Sequence, residues 1–363
     1  MSRPHAAAIV EDTFNAQVER VLRGRGWGNR VITHIGYGST RFVRVFARVV
    51  LGRHGKEGPA KRQDATGELT RLPYPRGWRA FIGAPASGVP VTVTIGERTV
   101  HGRSDRGGHV DLVAHDHGLA PGWQQVVVQA QGTDPVPADV FIVRDGVTFG
   151  LVSDIDDTVI TKMLPRPMIA AWNTLVLSGQ SRKAVPGMAP LYRDVLSAHP
   201  GAPVVYLSTG AWNTTPTLIR FLLESGYPLG PLLMTDWGPT NTGWFRSGQE
   251  HKRTSLHRLA RDFPDIRWLL VGDDGQHDPK IYTEFADARP DRVDAICIRQ
   301  LSPTEQVLSH PIGLVDAPSR AWLHQSVPHF SAPDGYELLR LLREAGRVGE
   351  PIAAQEQPSR PHA

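Results

Sequence analysis

Apolar positions along the chain follow two rhythms, and the change falls just before Phe149. From Phe42 onward, FVRVFARVVLG alternates apolar and basic residues over the length of a strand. VPVTVTIG (Val89 to Gly96), ERTVHGRSDRGGHVDLV (Glu97 to Val113), WQQVVVQA (Trp123 to Ala130) and ADVFIV (Ala138 to Val143) follow. Each is short, rich in Val and Thr, and bounded by Gly, Pro, Asp or Ser. Regularly spaced runs of this kind predict an antiparallel sandwich or small barrel over residues 42–148, with a hairpin turn at Asp105-Arg106-Gly107-Gly108. Ahead of it, Phe14, Val18, Val21 and Leu22 recur at helical spacing and predict a short amphipathic helix within residues 11–23. Gly24, Gly26 and Gly28 break that pattern, so residues 1–41 read as an N-terminal helix and a basic segment. Gly36-Tyr37-Gly38 superficially resembles a nucleotide-binding loop, but it ends in Arg41 rather than a third Gly and follows no expected strand.

From about Asp145 the rhythm becomes strand, helix, strand, helix. Apolar runs at Phe149 to Asp154, Ala202 to Thr209, Pro231 to Thr235, Ile266 to Asp274 and Asp294 to Gln300 read as buried strands. Helix patterns lie between them at Met188 to Ala198, Thr217 to Ser225, Lys252 to Phe263 and Pro279 to Ala288, with Pro216 suited to a first helical position. The alternation predicts an α/β domain over residues 149–349, a doubly wound parallel sheet. Val159 to Val185 carries apolar residues without a clear period and reads as a small cap or flap. Tyr336 to Ala345 is a last amphipathic helix, and residues 350–363, rich in Pro and Gln, read as a disordered tail.

Composition changes this picture only locally. Over 363 residues, 40 basic side chains oppose 36 acidic ones. Residues 1–80, however, hold 15 Lys and Arg against 6 Asp and Glu, a local +9. Such a segment suits a solvated face, or contact with an anionic membrane; no nucleic-acid motif accompanies it. Cys297, the one cysteine, excludes an intrachain disulfide, and VDAICIRQL places it in a buried strand as a small hydrophobe. No apolar run approaches the ~20 residues of a membrane-spanning helix, and acids interrupt the N-terminus where a secretory signal needs apolar residues. A cytoplasmic protein, peripheral to membranes at most, is expected. His115-Asp116-His117 has metal-ligand residue types but no third or fourth ligand nearby, and an exposed loop is the plainer reading.

The chemistry concentrates at strand ends. FGLVSDIDDT carries Asp154, Asp156 and Asp157 out of an apolar run, with Thr158 following. Acids at the C-terminal end of a parallel strand face the crevice where open α/β sheets bind ligands. Two like charges about 4 Å apart repel by roughly 4 kcal/mol at an effective dielectric near 20, a cost that Mg²⁺, which favours oxygen ligands, would relieve. A capped turn with solvated acids explains the same letters. Ser208, Thr209 and Gly210 end the next strand, where a hydroxyl and backbone N–H groups suit a phosphate, as they also suit an ordinary turn. Lys252 stands near a helix start, where the macrodipole disfavours a cation unless it serves an anion. The run LLVGDDGQHDPK takes a buried strand into Gly272, Asp273 and Asp274, with Asp278 further on.

In this order the four stretches resemble the signature of the haloacid dehalogenase superfamily: DIDDT its first motif, Ser208 its second, Lys252 its third, and Gly272-Asp273 with Asp278 its fourth. The fuller wording, DIDDT with EHK and GDDGQHDP, resembles the catalytic domain of actin-patch-type phosphatidate phosphatases, which also carry a β-rich region ahead of the catalytic strand. The resemblance covers roughly residues 149–300 and implies a haloacid-dehalogenase-like fold with a small cap. It implies a Mg²⁺-dependent phosphatase in which Asp154 is the nucleophile and Asp156 the acid and base. Ser208 and Lys252 would bind phosphate, with Thr158, Thr209 and Gly210 beside them. Asp154, the backbone carbonyl of Asp156, Asp273 and Asp278 form the metal site it implies, with Asp278 orienting either Lys252 or a metal-bound water. Phosphatidate to diacylglycerol is the reaction it implies. The aromatics near the site, Trp212, Trp237, Trp244 and Phe245, would suit a lipid substrate, although packing is the plainer role for each. A soluble or protein phosphomonoester, or a non-catalytic binder of the same fold, is the alternative.

Overall fold

The computed structural model describes residues 17–53, 61–63, 69–71, 84–161, 183–235, 248–275, 277–303, 305–306 and 327–348. Expectations for residues 1–16, for most of the 159–185 flap, for Trp237, Trp244 and Phe245, and for the 350–363 tail lie outside these residues.

Phe149–Asp154 (β10), Val204–Ala211 (β13), Leu232–Thr235 (β14), Arg267–Asp273 (β15), Val293–Arg299 (β16) and His329–Ala332 (β17) form one six-stranded sheet in the order β14-β13-β10-β15-β16-β17. Every pairing in it is parallel. Successive side chains point to opposite faces, so each strand serves two cores. Leu151, Tyr206, Leu269, Val271 and Cys297 join the helices Met188–Ser197, Thr215–Glu224 and Gly335–Glu344 on one face. Val152, Val205, Leu207, Leu270 and Ile298 join Gly248–Asp262 and Asp278–Ala288 on the other. Covered on both faces, the strands hold the near-continuous apolar runs from which they were predicted. The chain leaves β10 for one side of the sheet and returns on the other, so the crevice for a ligand lies beyond the ends of β13, β10 and β15. Of the flap, Ile160–Thr161 (β11) and Lys183–Ala184 (β12) pair antiparallel as its stem.

The β-rich part is one seven-stranded sheet rather than two packed sheets. Its order is β6-β5-β8-β9-β1-β2-β7, drawn from Trp27–Ser39 (β1), Phe42–Arg53 (β2), Pro90–Ile95 (β5), Arg98–Arg103 (β6), His109–His115 (β7), Gly122–Ala130 (β8) and Val136–Val143 (β9). Two further short strands, Lys61–Gln63 (β3) and Leu69–Arg71 (β4), pair with each other. The sheet curls around a single interior of Val43, Val45, Val93, Val110, Val128, Val140 and Ile142 until its edges nearly meet. A Cβ on Gly102 of β6 would lie 2.5 Å from Leu112 Cδ2 of β7. The small-barrel alternative therefore describes it better than a sandwich. The hairpin at Asp105 is present, closed by Gly108 N–H to Asp105 O at 3.0 Å.

Strand β1 begins ahead of the expected β-rich region and contains Gly36-Tyr37-Gly38. The pairing with β2 shifts register between His34 and Tyr37. A Cβ at Gly36 or Gly38 would sit 2.3 Å from Arg44 O or 2.2 Å from Phe42 O, so these glycines permit a bulge, not a phosphate loop.

The barrel sits directly on the helices of the parallel sheet. Tyr37 Oη donates to Asp262 Oδ2 at 2.8 Å, and Arg44 bridges Asp111 at 2.6 Å and Asp262 at 3.1 Å. Tyr37 and Phe42 pack on Phe263, and Trp212 packs at tilted angles against His34, Phe46 and His109.

Candidate active site

Asp154 ends β10 and Asp273 ends β15, its neighbour in the sheet, while Asp278 opens the Asp278–Ala288 helix. All three are buried, and each brings a carboxylate oxygen within 4.8 Å of the others. Asp278 approaches so closely because Gly272 has no side chain: a Cβ there would lie 2.6 Å from Asp278 Oδ2. Lys252 Nζ enters the group from the opposite helix, 2.7 Å from Asp154 Oδ1 and in contact with Asp278 Oδ1. Asp278 thus meets Lys252 directly while remaining one of the three carboxylates that could hold a metal. The helix starts at Gly248, so Lys252 lies in its second turn. The macrodipole argument for it therefore falls away, and burial beside two carboxylates replaces it.

Burial pushes the Asp154 carboxyl well above the usual carboxylate range, Lys252 pulls it down, and Asp278 and Asp156 push it up again. Asp273 is raised by burial and then by Asp278 and Asp154. The Lys252 ammonium is held charged by the two carboxylates against the desolvation that opposes it. Three acids against one lysine leave negative charge uncompensated, and Asp154 Oδ2 and Asp278 Oδ2 are buried without a hydrogen-bond partner among the described residues. An all-oxygen donor set with free buried acceptors fits a hard divalent cation such as Mg²⁺.

The remaining expected residues surround this group. Thr158 is buried, with Oγ1 3.5 Å from Asp273 Oδ2. Asp156 is only partly buried, and its side chain lies outside the three-carboxylate group. Ser208 follows Leu207, the register partner of Asp154. Its Oγ accepts the Gly210 N–H at 3.0 Å, so that donor, expected to be available to phosphate, is engaged within the loop. Thr235 Oγ1 donates to Thr209 O at 2.7 Å and ties the loop to β14. A Cβ on Gly248 would meet Thr209 Cγ2 at 2.5 Å, so the Ser208 loop and the Lys252 helix pack without a gap.

Other acids and histidines take structural roles. Asp274 Oδ1 accepts the Leu301 N–H at 2.8 Å. His117 bonds Ser39 O through Nε2 and Leu119 N–H through Nδ1, so both ring nitrogens are used and the 115–117 triplet is no metal clip. Cys297 is buried as expected. Sequence reasoning missed Ser153 and Tyr192: Ser153 Oγ donates to Asp154 O at 2.5 Å and meets Tyr192 Oη at 2.5 Å. No signal in a single Tyr at an apolar helix position marks it as a support for the catalytic strand.

Comparison with known proteins agrees with the site. Residues 149–300 match the family model described as phosphatidate phosphatase APP1, catalytic domain. An uncharacterized protein of Schizosaccharomyces pombe is 28% identical over 160 residues, 44% of this chain and 26% of its own length. Phosphatidate phosphatase APP1 of Saccharomyces cerevisiae is 27% identical over 151 residues, 41% of this chain and 25% of its own. The match thus spans about a quarter of each of these curated relatives. A carbohydrate acetylesterase from Xanthomonas citri aligns over 76% of this chain and 70% of its own at 10% identity, but its TM-score of 0.26 carries no argument. From Phe149 to Gln300, the segment that carries every residue of the site, this chain resembles the catalytic domain of APP1-type phosphatidate phosphatases.

Proposed function

We propose that the protein is a Mg²⁺-dependent phosphatase of the haloacid dehalogenase type that hydrolyses phosphatidate to diacylglycerol. The observation that carries this reading is the buried Asp154–Lys252–Asp278 contact beside Asp273, at the ends of adjacent parallel strands. The family match over residues 149–300 and the yeast relative's name support the substrate.

Asp154 would be the nucleophile. Its Oδ1 is fixed by Lys252, while its Oδ2 is unengaged and can attack phosphorus to form an aspartyl-phosphate. Lys252, held charged, keeps part of the Asp154 population ionised and offers positive charge to a transferring phosphoryl group. Asp156, more exposed and two residues along, would protonate the leaving oxygen and then deprotonate the attacking water. A placed acid and base is typically worth about 10²–10⁴ in rate. Ser208, Thr209 and Gly210 would bind phosphate oxygens once the Gly210 N–H turns from Ser208 Oγ to the ligand. Asp154, the Asp156 carbonyl and Asp273 would hold Mg²⁺, with Asp278 orienting Lys252 beside them. When bound, the ion would neutralise the phosphate and the surplus carboxylate charge.

The basic residues ahead of the catalytic domain, among them the exposed Arg20, Arg23, Arg25 and Arg41, support contact with an anionic membrane surface. No described helix is long and apolar enough to cross a membrane.

Phosphate release with Mg²⁺ from phosphatidate in mixed micelles, sugar phosphates, a phosphopeptide and an aryl phosphate tests the reading. Preference for phosphatidate supports it. Release from soluble esters alone keeps the mechanism and discards the lipid. No release from any ester discards the enzyme.

A further inference from the structure

Asp157, directly after Asp156, has φ 63, one of two non-glycine residues with positive φ among those described. A left-handed conformation costs such a residue about 1–2 kcal/mol and persists only where its surroundings hold it. Both backbone groups of Asp157 are held. Its N–H donates to Ile160 O at 2.8 Å, and its carbonyl accepts from Arg299 Nη1 at 2.7 Å.

Arg299 ends β16 and is 5% exposed. Each of its three guanidinium nitrogens reaches a different segment. Besides Nη1 on Asp157, Nε donates to Pro333 O at 3.3 Å and Nη2 to Glu305 Oε1 at 2.7 Å. Glu305 is itself fixed, since its Oε2 accepts from Ser302 N and Oγ at 2.9 Å. The backbone carbonyl of Arg299 also receives the N–H of Asp274, next to the buried Asp273. One planar cation thus ties the turn after β10, the segment after β16 that carries Glu305 and the entry to the last helix into a single unit, while its own backbone carbonyl holds the loop after β15. A lysine, with one nitrogen on a flexible stem, cannot reproduce that fork.

We propose that Arg299 is a positioning residue: it clamps the left-handed turn at Asp157 and so aims the Asp156 carboxyl, with Glu305 fixing the guanidinium. This rests on the phosphatase reading, in which Asp156 is the acid and base. Arg299 acts through Asp157 and touches neither phosphate nor nucleophile. If it aims the general acid, its loss slows esters with poor leaving groups most, because those need the proton, and leaves substrate binding alone.

The test compares wild type with Arg299→Lys and the milder Glu305→Gln, in the full chain with Mg²⁺. Three readouts are taken: kcat and KM on an alkyl phosphate, the same on nitrophenyl phosphate, and amide hydrogen exchange over residues 155–160. For Arg299→Lys the expected result is kcat down about 10–100-fold on the alkyl ester, a fraction of what a placed acid supplies. The loss is smaller on the nitrophenyl ester, KM stays within twofold, and exchange at 155–160 is faster. Glu305→Gln moves the same quantities the same way by less. Equal loss on both esters, or unchanged exchange in both variants, overturns the proposal. Should wild type hydrolyse neither these esters nor phosphatidate, the phosphatase reading fails and Asp156 has no proton transfer for Arg299 to serve, so this proposal falls with it; exchange then reports separately whether the clamp exists.

Discussion

Replacing Lys252 by Met removes the one cation from a buried group of three carboxylates while keeping an unbranched side chain of similar length. Lys252 Nζ lies 2.7 Å from Asp154 Oδ1 and touches Asp278 Oδ1 as well. At an effective dielectric of 20, one such contact is worth about 6 kcal/mol of attraction. Desolvating the ammonium takes back several kcal/mol, so the net loss on breaking a buried ion pair is about 3–5 kcal/mol. Domains are stable by only about 5–15 kcal/mol, so the effect is large. It also has a pH signature. Asp154 and Asp273 already hold their protons above the unfolded values with the lysine in place, and without it they hold them higher still. A raised carboxyl favours folding less and less as pH climbs through and past its unfolded value. The deficit is therefore larger at pH 8 than at pH 5. Urea denaturation in EDTA, followed by circular dichroism at both pH values, measures it. Mg²⁺ at a hundred times its dissociation constant should return about 2.7 kcal/mol if it binds only the folded state. Wild-type stability for Lys252→Met in EDTA at pH 8, or a deficit that ignores pH, would refute the reasoning.

Two further outcomes concern the seam between barrel and catalytic sheet. Burial first, then His109 and Arg48, lower the His34 pKa to about 3. The unfolded chain therefore binds a proton below pH 6.5 that the folded chain refuses, and stability falls by up to about 1.4 kcal/mol per pH unit between pH 6.5 and 3. His34→Gln should remove one proton's worth of slope from that acid limb, and an unchanged slope in a denaturation series refutes the assignment. Trp212 follows the Ser208 loop by two residues and rests on His34, Phe46 and His109. Trp212 is partly buried, so Trp212→Ala should cost at most about 3–5 kcal/mol of stability, and it should raise KM if the Ser208 loop binds phosphate, because that loop loses its seat. Wild-type stability and KM in urea and kinetic measurements would place the loop's support elsewhere.

What was legible in the chain depended on how local its cause is. The parallel strands were visible because burial on both faces turns them into apolar runs, and the runs ending near Asp154, Ser208 and Asp273 lead into the site. Asp154 and Asp273 stood at strand ends, Asp278 a few residues beyond one and Lys252 near a helix start, and the family resemblance joined them, although the helix of Lys252 starts earlier than expected because GQEHKR has no apolar position to mark it. Strand β1 was invisible because Gly24, Gly26 and Gly28 read as breakers and Gly36-Tyr37-Gly38 as a loop-like cluster. In the fold, Gly36 and Gly38 instead let β1 pass against the carbonyls of β2. Nothing in CIRQ marks Arg299, whose partner Asp157 lies 142 positions away. Trp212 read as an aromatic near the site, packing or lipid-facing, and only the barrel's position shows that it packs.

The central claim is that Asp154 attacks phosphorus. Phosphate release from phosphatidate with Mg²⁺, measured side by side for wild type and Asp154→Asn, tests it most directly. The amide is nearly isosteric but is a poor nucleophile, so the account predicts turnover by wild type and none above background by a variant with an unchanged circular dichroism spectrum. Comparable release by a folded Asp154→Asn protein would contradict it.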